Sequence, residues 1–215
     1  MQKTQVQSTD TSPFDPEAPP KWIASHWFNC EQPVSLEALS GRVIALVFFQ
    51  THCNGSRQHA LPQAQRLFEV FDQSQLAVVG LNAPFENKAS QTPSSVEAFV
   101  KANRLGFPIG IDALEESGLP HTMGAYEVQG TPAVLMFDRD GRLRRHYLGG
   151  VDDMRLSAEI TAFILETRGA PRDASVQTEN VLGEALTEPE RHHAKQGRDS
   201  SGQNARMPGH FLLVN

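Results

Sequence analysis

The stretch that decides the fold is VFFQTHCNGSRQHALP, residues 47–62, where an apolar segment runs into a cysteine and then into polar residues. The apolar segment belongs to RVIALVFF, residues 42–49, whose β-branched and aromatic composition is typical of a fully buried strand. Beyond the cysteine, apolar residues recur three and four positions apart, as on one face of a helix: Ala64, Leu67, Phe68 and Phe71. The pattern predicts a strand that delivers Cys53 to the first turn of a helix, which Pro62 should kink.

The residues that follow predict a second strand and a second helix. LAVVGLNA, residues 76–83, is another continuous apolar run of strand length. PSSVEAFVKANRLG, residues 93–106, has the pattern of a helix, with Ser94 and Glu97 as a capping box and Gly106 as the stop. The alternation of strand and helix is therefore established early in the chain.

The rest of the ordered chain extends this alternation. A short strand at residues 107–112 and a weak helix at residues 121–128 come next. Residues 133–148 contain an Asp-Gly turn between two strand patterns and predict a β-hairpin, and a last helix begins near Asp152. Alternating elements, a hairpin and a closing helix predict an α/β fold with a central mixed sheet flanked by helices on both faces.

Composition predicts the domain boundaries. Residues 1–20 are polar and Pro-rich, and residues 171–215 are polar and poor in aromatics, so both are expected to be disordered, around one domain of residues 21–170. The polar start lacks the apolar segment of a signal peptide, and no apolar run has the length of a membrane span. The expectation is a cytoplasmic protein.

Charge and cysteine content narrow the possible partners. The net charge of -6 and the lack of a Lys/Arg block argue against nucleic acid or an anionic membrane as the main partner. Two cysteines in 215 residues do not form a disulfide framework. No nucleotide or haem pattern is present, so no cofactor is expected.

Cys53 is the residue best placed for chemistry. Unpaired N–H groups and the helix dipole at a helix start favour a thiolate, and His52 and Arg57 are expected to add positive charge. The thiolate is the form that attacks disulfides and peroxides. A free cysteine is more often packed as a small hydrophobic residue, but the polar NGSRQH that follows argues against simple burial.

A second motif lies in QGTPAVLMFD, residues 129–138, where Thr131 and Pro132 precede an apolar strand. A proline at this position is either an ordinary strand-entry proline or a cis-proline. Together with the strand, cysteine and helix upstream, it resembles the redoxin/TlpA-like branch (AhpC/TSA type) of the thioredoxin superfamily. The segments LPQAQRL and RRHYLGG suggest a bacterial subgroup, and the resemblance covers residues 21–168.

The resemblance implies a thioredoxin-like fold, with Cys53 as attacking cysteine and a cis-proline loop facing it. It assigns substrate contacts to Thr131 and Pro132, and to Asn54 and Gly55 after the cysteine. The family motif is C-x-x-C, and here Ser56 stands at the position of the resolving cysteine. A hydroxyl cannot close an internal disulfide, so this position is degenerate.

Further departures from the family point away from a thioredoxin-type reductase. Asn54 replaces a proline, His52 replaces a tryptophan, and Val47 replaces a buried acid. Cys30 is interpreted as structural, because the family geometry places it far from Cys53.

His52, Cys53 and His59 are residue types that can bind a metal. Zinc takes four ligands and the sequence offers no clear fourth, so no metal is expected. His59 is interpreted as a surface residue or a proton relay.

Three functions follow from these observations. The first is a thiol-disulfide oxidoreductase in which Cys53 attacks a disulfide-containing protein or a glutathione mixed disulfide, and an external thiol resolves the product. The second is a thioredoxin-like module that binds protein without turnover. The third is an antioxidant one-cysteine peroxidase, which is disfavoured because Gln50 stands where peroxiredoxins carry a threonine, three residues before the cysteine.

Overall fold

The fold is a mixed β-sheet with helices on both faces. The computed structural model describes residues 14–169 and the backbone of residues 177–180. The strands are β1 (Ala24–Phe28), β2 (Val43–Phe49), β3 (Leu76–Asn82), β4 (Ile109–Asp112), β5 (Ala133–Phe137), β6 (Leu143–Leu148) and β7 (Gln177–Asn180). The helices are α1 (Leu61–Val70), α2 (Pro93–Ala102), α3 (His121–Ala125) and α4 (Asp153–Leu165), with a π turn at Ser56–Ala60 and 3-10 turns at Glu37–Leu39 and Lys88–Ser90. The predicted α/β class is confirmed.

The strand order places the cysteine-bearing unit at the middle of the sheet. The order is β1-β4-β3-β2-β5-β6-β7, so β2 is the central strand. β2, β3 and β4 run parallel, β5 pairs antiparallel with β2, and β6 returns as the predicted hairpin. Because parallel strands end at the same edge, the turn after β2 lies beside the loop after β3.

The side chains of β2 belong to two apolar cores, one on each face of the sheet. All seven are buried, with at most 2% exposed. Alternate residues pack with α1, α2 and α4 on one face, and with α3 and the N-terminal segment on the other. A strand buried on both faces needs the continuous apolar run that the sequence shows.

α2 begins before the predicted capping box. Thr92 caps the helix, and its Oγ1 accepts a hydrogen bond from the backbone N–H of Ser95 at 3.3 Å. Pro93 takes the first helical position, where an N–H would have no partner inside the helix. The predicted Ser94–Glu97 capping box is therefore wrong, and the helix also ends before the predicted glycine stop.

Pro62 is accommodated by a π turn. The helix after Cys53 begins at Asn54, widens over Ser56–Ala60, and continues as α1 with Pro62 as its second residue. In a regular α-helix, residue 62 would donate its N–H to the carbonyl of Gln58, and proline has none to donate. The expected disturbance of the helix thus takes the form of a wider turn, next to the cysteine.

Both predicted disordered segments contain ordered residues. Residues 14–20 pack on the domain: Phe14 contacts Tyr126 edge to face, with ring centroids 5.0 Å apart. The prediction of disorder is therefore wrong for residues 14–20, because the aromatic side chain of Phe14 packs on the apolar core that contains Tyr126. β7 pairs in parallel with β6, so a strand lies within the predicted tail of residues 171–215. The remainder of both predictions, including residues 1–13, lies outside the described residues.

Candidate active site

The Cys53 thiol lies between the start of a helix and the loop before β5. A tight turn after β2, in which the Cys53 N–H donates to the Gln50 carbonyl at 3.2 Å, brings the cysteine to the helix start. Its Sγ is 3.3 Å from the Thr131 carbonyl oxygen and 3.4 Å from the backbone nitrogen of Ser56. The thiol is free and partly exposed.

The two contacts of the sulfur favour opposite protonation states. The Thr131 carbonyl accepts a hydrogen bond from the neutral S–H group and has nothing to offer a thiolate. The Ser56 N–H donates to the sulfur, which favours the negatively charged form. The sulfur therefore has one hydrogen-bond acceptor and one hydrogen-bond donor beside it.

Gly55 permits the close approach of the proline loop. The Thr131–Pro132 peptide bond is cis, the form that the resemblance implies. A Cβ atom added at Gly55 would lie 3.0 Å from Pro132 Cδ and 3.9 Å from Cys53 Sγ. The glycine at this position thus keeps the space between the cysteine and the loop open.

Ser56 is fully buried behind the cysteine, with 0% of its surface exposed. Its Oγ accepts a hydrogen bond from the Gln50 backbone N–H at 3.5 Å, which is long for an oxygen acceptor. The thiol that would close an internal disulfide is absent from this position.

Four polar residues lie close to Cys53 in the chain. His52, Asn54, Arg57 and His59 are all exposed. Among the hydrogen bonds of the described residues, none joins the side chain of His52 or Arg57 to the sulfur. His52 instead contacts Ser90 on the loop after β3, with Nε2 and Oγ 2.9 Å apart. The positive charge that His52 and Arg57 are expected to add near the thiol stays a prediction.

A buried amide network behind the site was missed by sequence reasoning. Gln50 is buried, and its Nε2 donates to the Ala83 carbonyl at 3.1 Å. Asn82 Nδ2 donates to Gln91 Oε1 at 2.9 Å, which ties the end of β3 to the loop that follows it. The only signal in the sequence was an amide residue at the end of each of two apolar runs. This network fixes the turn that carries the cysteine.

Cys30 lies at the opposite edge of the sheet from Cys53. It follows β1, and the preceding Asn29 donates from Nδ2 to the carbonyls of Leu105 and Phe107, which come before β4. Cys53 follows the carboxyl end of β2, which is parallel to the β3–β4 pair. Burial raises the pKa of the Cys30 thiol, which keeps it protonated and a poor nucleophile.

The described residues contain neither a metal-binding cluster nor a membrane-spanning helix. In residues 14–169 and 177–180, no group of three or more His, Cys, Asp or Glu side chains is arranged to hold a metal ion. No helix in the same residues is long and apolar enough to cross a membrane.

Comparison with known proteins settles the family. The sequence profile described as AhpC/TSA family matches residues 19–146. The chain belongs to the AhpC/TSA family. Its fold is that of the thioredoxin-like proteins to which it is similar in structure.

Two solved structures are similar over most of the domain. A thioredoxin-like superfamily protein is 37% identical, with 69% of this chain and 96% of that one covered and a TM-score of 0.67. A thiol-disulfide isomerase from Corynebacterium glutamicum is 33% identical, with 72% and 100% covered and a TM-score of 0.68. The thioredoxin-like fold that the sequence resemblance implied is thus confirmed.

Curated relatives are more distant and much longer. Protein DipZ of Mycobacterium tuberculosis and of Mycobacterium bovis is 24% identical over 170 residues. The match covers 76% of this chain but 23% of DipZ, so the chain spans less than a quarter of these relatives.

Proposed function

We propose that this protein is a single-cysteine thiol-disulfide oxidoreductase. The observation that carries the proposal is the position of Cys53 Sγ, which is partly exposed between the Thr131 carbonyl and the Ser56 N–H. The buried hydroxyl of Ser56 occupies the place of an internal resolving thiol. An external thiol must therefore complete the cycle.

The reaction has two balanced exchange steps. The Cys53 thiolate attacks one sulfur of a substrate disulfide, the Sγ–S bond forms as the S–S bond breaks, and the departing sulfur takes up a proton. A second thiol then attacks the mixed disulfide and regenerates Cys53. The proposed substrates are a disulfide-containing protein or a glutathione mixed disulfide, with glutathione or a similar small thiol as the resolving partner.

The contacts around the sulfur support this chemistry over that of a peroxidase. Gln50, at the position where peroxiredoxins carry a threonine, is buried and directs its side-chain amide to the Ala83 carbonyl. Thr51 is also buried and stands only two residues before Cys53. A cytoplasmic location belongs to the same proposal, because reduced glutathione is held there; recovery in the membrane or secreted fraction would contradict it.

Mixed-disulfide formation tests the proposal. In a Cys30→Ala background, incubation with glutathione disulfide should add one glutathionyl group at Cys53, seen by intact-mass spectrometry, and reduced glutathione should remove it. The matched control is Cys53→Ser in the same background, which should remain unmodified.

The outcomes separate the candidate functions. Turnover of a glutathione mixed disulfide that survives in Cys53→Ser would refute the proposal. Oxidation of Cys53 by peroxide much faster than by disulfide would favour the peroxidase. A Cys53 that reacts with neither reagent would leave the binding module as the function.

A further inference from the structure

Gln50 is a buried amide that joins the cysteine turn to the neighbouring strand. It directly follows β2, and 4% of its surface is exposed. Its side-chain Nε2 donates to the carbonyl of Ala83, the residue after β3, at 3.1 Å. The Ala83 N–H in turn donates to the Phe49 carbonyl at 2.9 Å, which continues the pairing of the two strands. The side chain therefore holds the two strand ends together where the turn begins.

The backbone of Gln50 contacts both residues that determine the environment of the sulfur. Its carbonyl accepts from the Cys53 N–H at 3.2 Å. Its N–H donates to Ser56 Oγ at 3.5 Å, and the Ser56 N–H is the group that donates to Cys53 Sγ at 3.4 Å. Three hydrogen bonds thus form a closed path through these three residues. The position of the sulfur relative to its N–H donor therefore depends on where Gln50 is held.

Packing alone does not explain an amide at this position. A buried amide costs free energy unless it is hydrogen-bonded, and an apolar side chain of the same size would fill the space without that cost. The hydrogen bonds of the sulfur join it to Thr131 and Ser56, so the Gln50 side chain acts on it through the turn.

We infer that Gln50 is a positioning residue: its side-chain hydrogen bond to Ala83 holds the turn so that Cys53 Sγ stays beside the Ser56 N–H. The inference rests on the proposed function and names a residue outside the cysteine motif. Without the side-chain contact, the turn is held by its two backbone hydrogen bonds, of which the one to Ser56 is long. The sulfur then moves away from a donor that favours the thiolate, and attack at neutral pH becomes slower.

The pH dependence of alkylation measures this effect on the sulfur. In the Cys30→Ala background, iodoacetamide reacts with the Cys53 thiolate, and the ratio of its rate at pH ~7 to that at pH ~10 reports how strongly the site favours that form. Gln50→Met keeps the size of the side chain but removes its donor. It should lower this ratio by about 2- to 10-fold, as expected for one lost hydrogen bond. Mixed-disulfide formation with glutathione disulfide at neutral pH should slow by a similar factor.

Gln63→Met is the matched control. Gln63 is also a buried glutamine, 6% exposed, and its Nε2 donates to the Val151 carbonyl at 2.7 Å. Its side-chain contacts join α1 to the start of α4. Gln63→Met should therefore lower Tm, as Gln50→Met does, but leave the ratio of alkylation rates unchanged. A second variant, Gln50→Asn, retains the amide on a side chain one methylene shorter and should lower the ratio as Gln50→Met does.

Hydrogen exchange tests the contact in the native protein without a variant. The side-chain N–H groups of Gln50 should exchange with deuterium about 2- to 10-fold more slowly than those of the exposed Gln129. Equal exchange rates overturn the inference.

The results that overturn the inference differ from those that overturn the proposed function. A native ratio of alkylation rates in a folded Gln50 variant overturns the inference, whether or not Cys53 exchanges with disulfides. An equal fall of the ratio in Gln63→Met also overturns it, because the loss of any buried amide would then have the same effect. A native Cys53 that is alkylated but forms no mixed disulfide overturns the proposed function.

Discussion

Replacing Ser56 with cysteine should convert the single-thiol site into a dithiol site. Ser56 N lies 3.4 Å from Cys53 Sγ, and the Ser56 hydroxyl occupies a fully buried position with a long, 3.5 Å contact to the Gln50 N–H. Residues three apart at the start of a helix are within the reach of a disulfide. The larger sulfur atom should fit the space without displacing the turn, and a disulfide between Cys53 and the introduced cysteine should form under mild oxidation.

The expected stabilisation follows from the length of the closed loop. The disulfide would close a loop of four residues, for which the chain-entropy relation gives about 6 cal/mol/K, or about 2 kcal/mol at 25 °C. For a domain of this size, that corresponds to a rise in Tm of roughly 4–8 °C for the oxidised over the reduced variant. The figure is an upper value, because strain in the native geometry subtracts from it.

The assay follows the thiols and the stability together. In a Cys30→Ala background, Ser56→Cys should lose both free thiols on titration with glutathione disulfide, gain Tm when oxidised, and acquire dithiol reductase activity in an insulin assay. The matched control is Cys53→Ser combined with Ser56→Cys, which cannot close the bridge. Two thiols that stay free in the native variant but pair readily in the unfolded chain would refute the geometric reasoning.

Two other predictions concern the space between Cys53 and the Pro132 loop, and the ionisation of the two tyrosines. Gly55→Ala should slow mixed-disulfide formation, because its Cβ would lie 3.0 Å from Pro132 Cδ and overpacking costs about 1–3 kcal/mol. The control is Gly124→Ala, where an added Cβ meets nothing within 4 Å, and this variant should react at the native rate. Equal rates for the two variants would contradict the steric argument. Burial raises the pKa of both tyrosines, Tyr126 and Tyr147, the latter to about 12 with a further contribution from its hydrogen bond to a glutamate. The stability that the neutral phenols contribute is complete below pH ~10 and is lost as pH rises through their raised folded-state pKa values, which for Tyr147 is about 12. Ultraviolet titration should therefore show little tyrosinate near pH ~10 in the folded protein and about half of the tyrosine ionised at the same pH in urea. Identical titrations would contradict this.

Much of the fold could be predicted because its strongest patterns are local. The continuous apolar run at residues 42–49 can only be covered if both faces of its strand are buried, and this is the central strand of the sheet. Boundaries were less predictable, since they depend on competition between neighbouring residues. Thr92 and Pro93 together displaced the capping box predicted at Ser94, because proline is well suited to the first helical position.

The candidate site also has parts that local sequence patterns predict and parts that they do not. Cys53 at a strand–helix junction could be identified from composition and spacing, and Ser56 at the resolving position is a matter of sequence alone. Closeness in the sequence does not show whether a charged side chain lies beside the thiol, because the side chains of one turn point in different directions. His52 pairs with Ser90, which is 38 positions away in the chain.

The sequence by itself determined that a single thiol stands at the start of a helix and that no second thiol follows within its motif. These features can be predicted because the patterns of a buried strand and of a helix depend on residues that are close together in the sequence. Only the tertiary structure decided what surrounds that thiol: the Thr131 carbonyl, the buried hydroxyl of Ser56 and the contact between His52 and Ser90. These contacts join segments distant in the chain, and their geometry exists only once the sheet has brought the ends of its strands together.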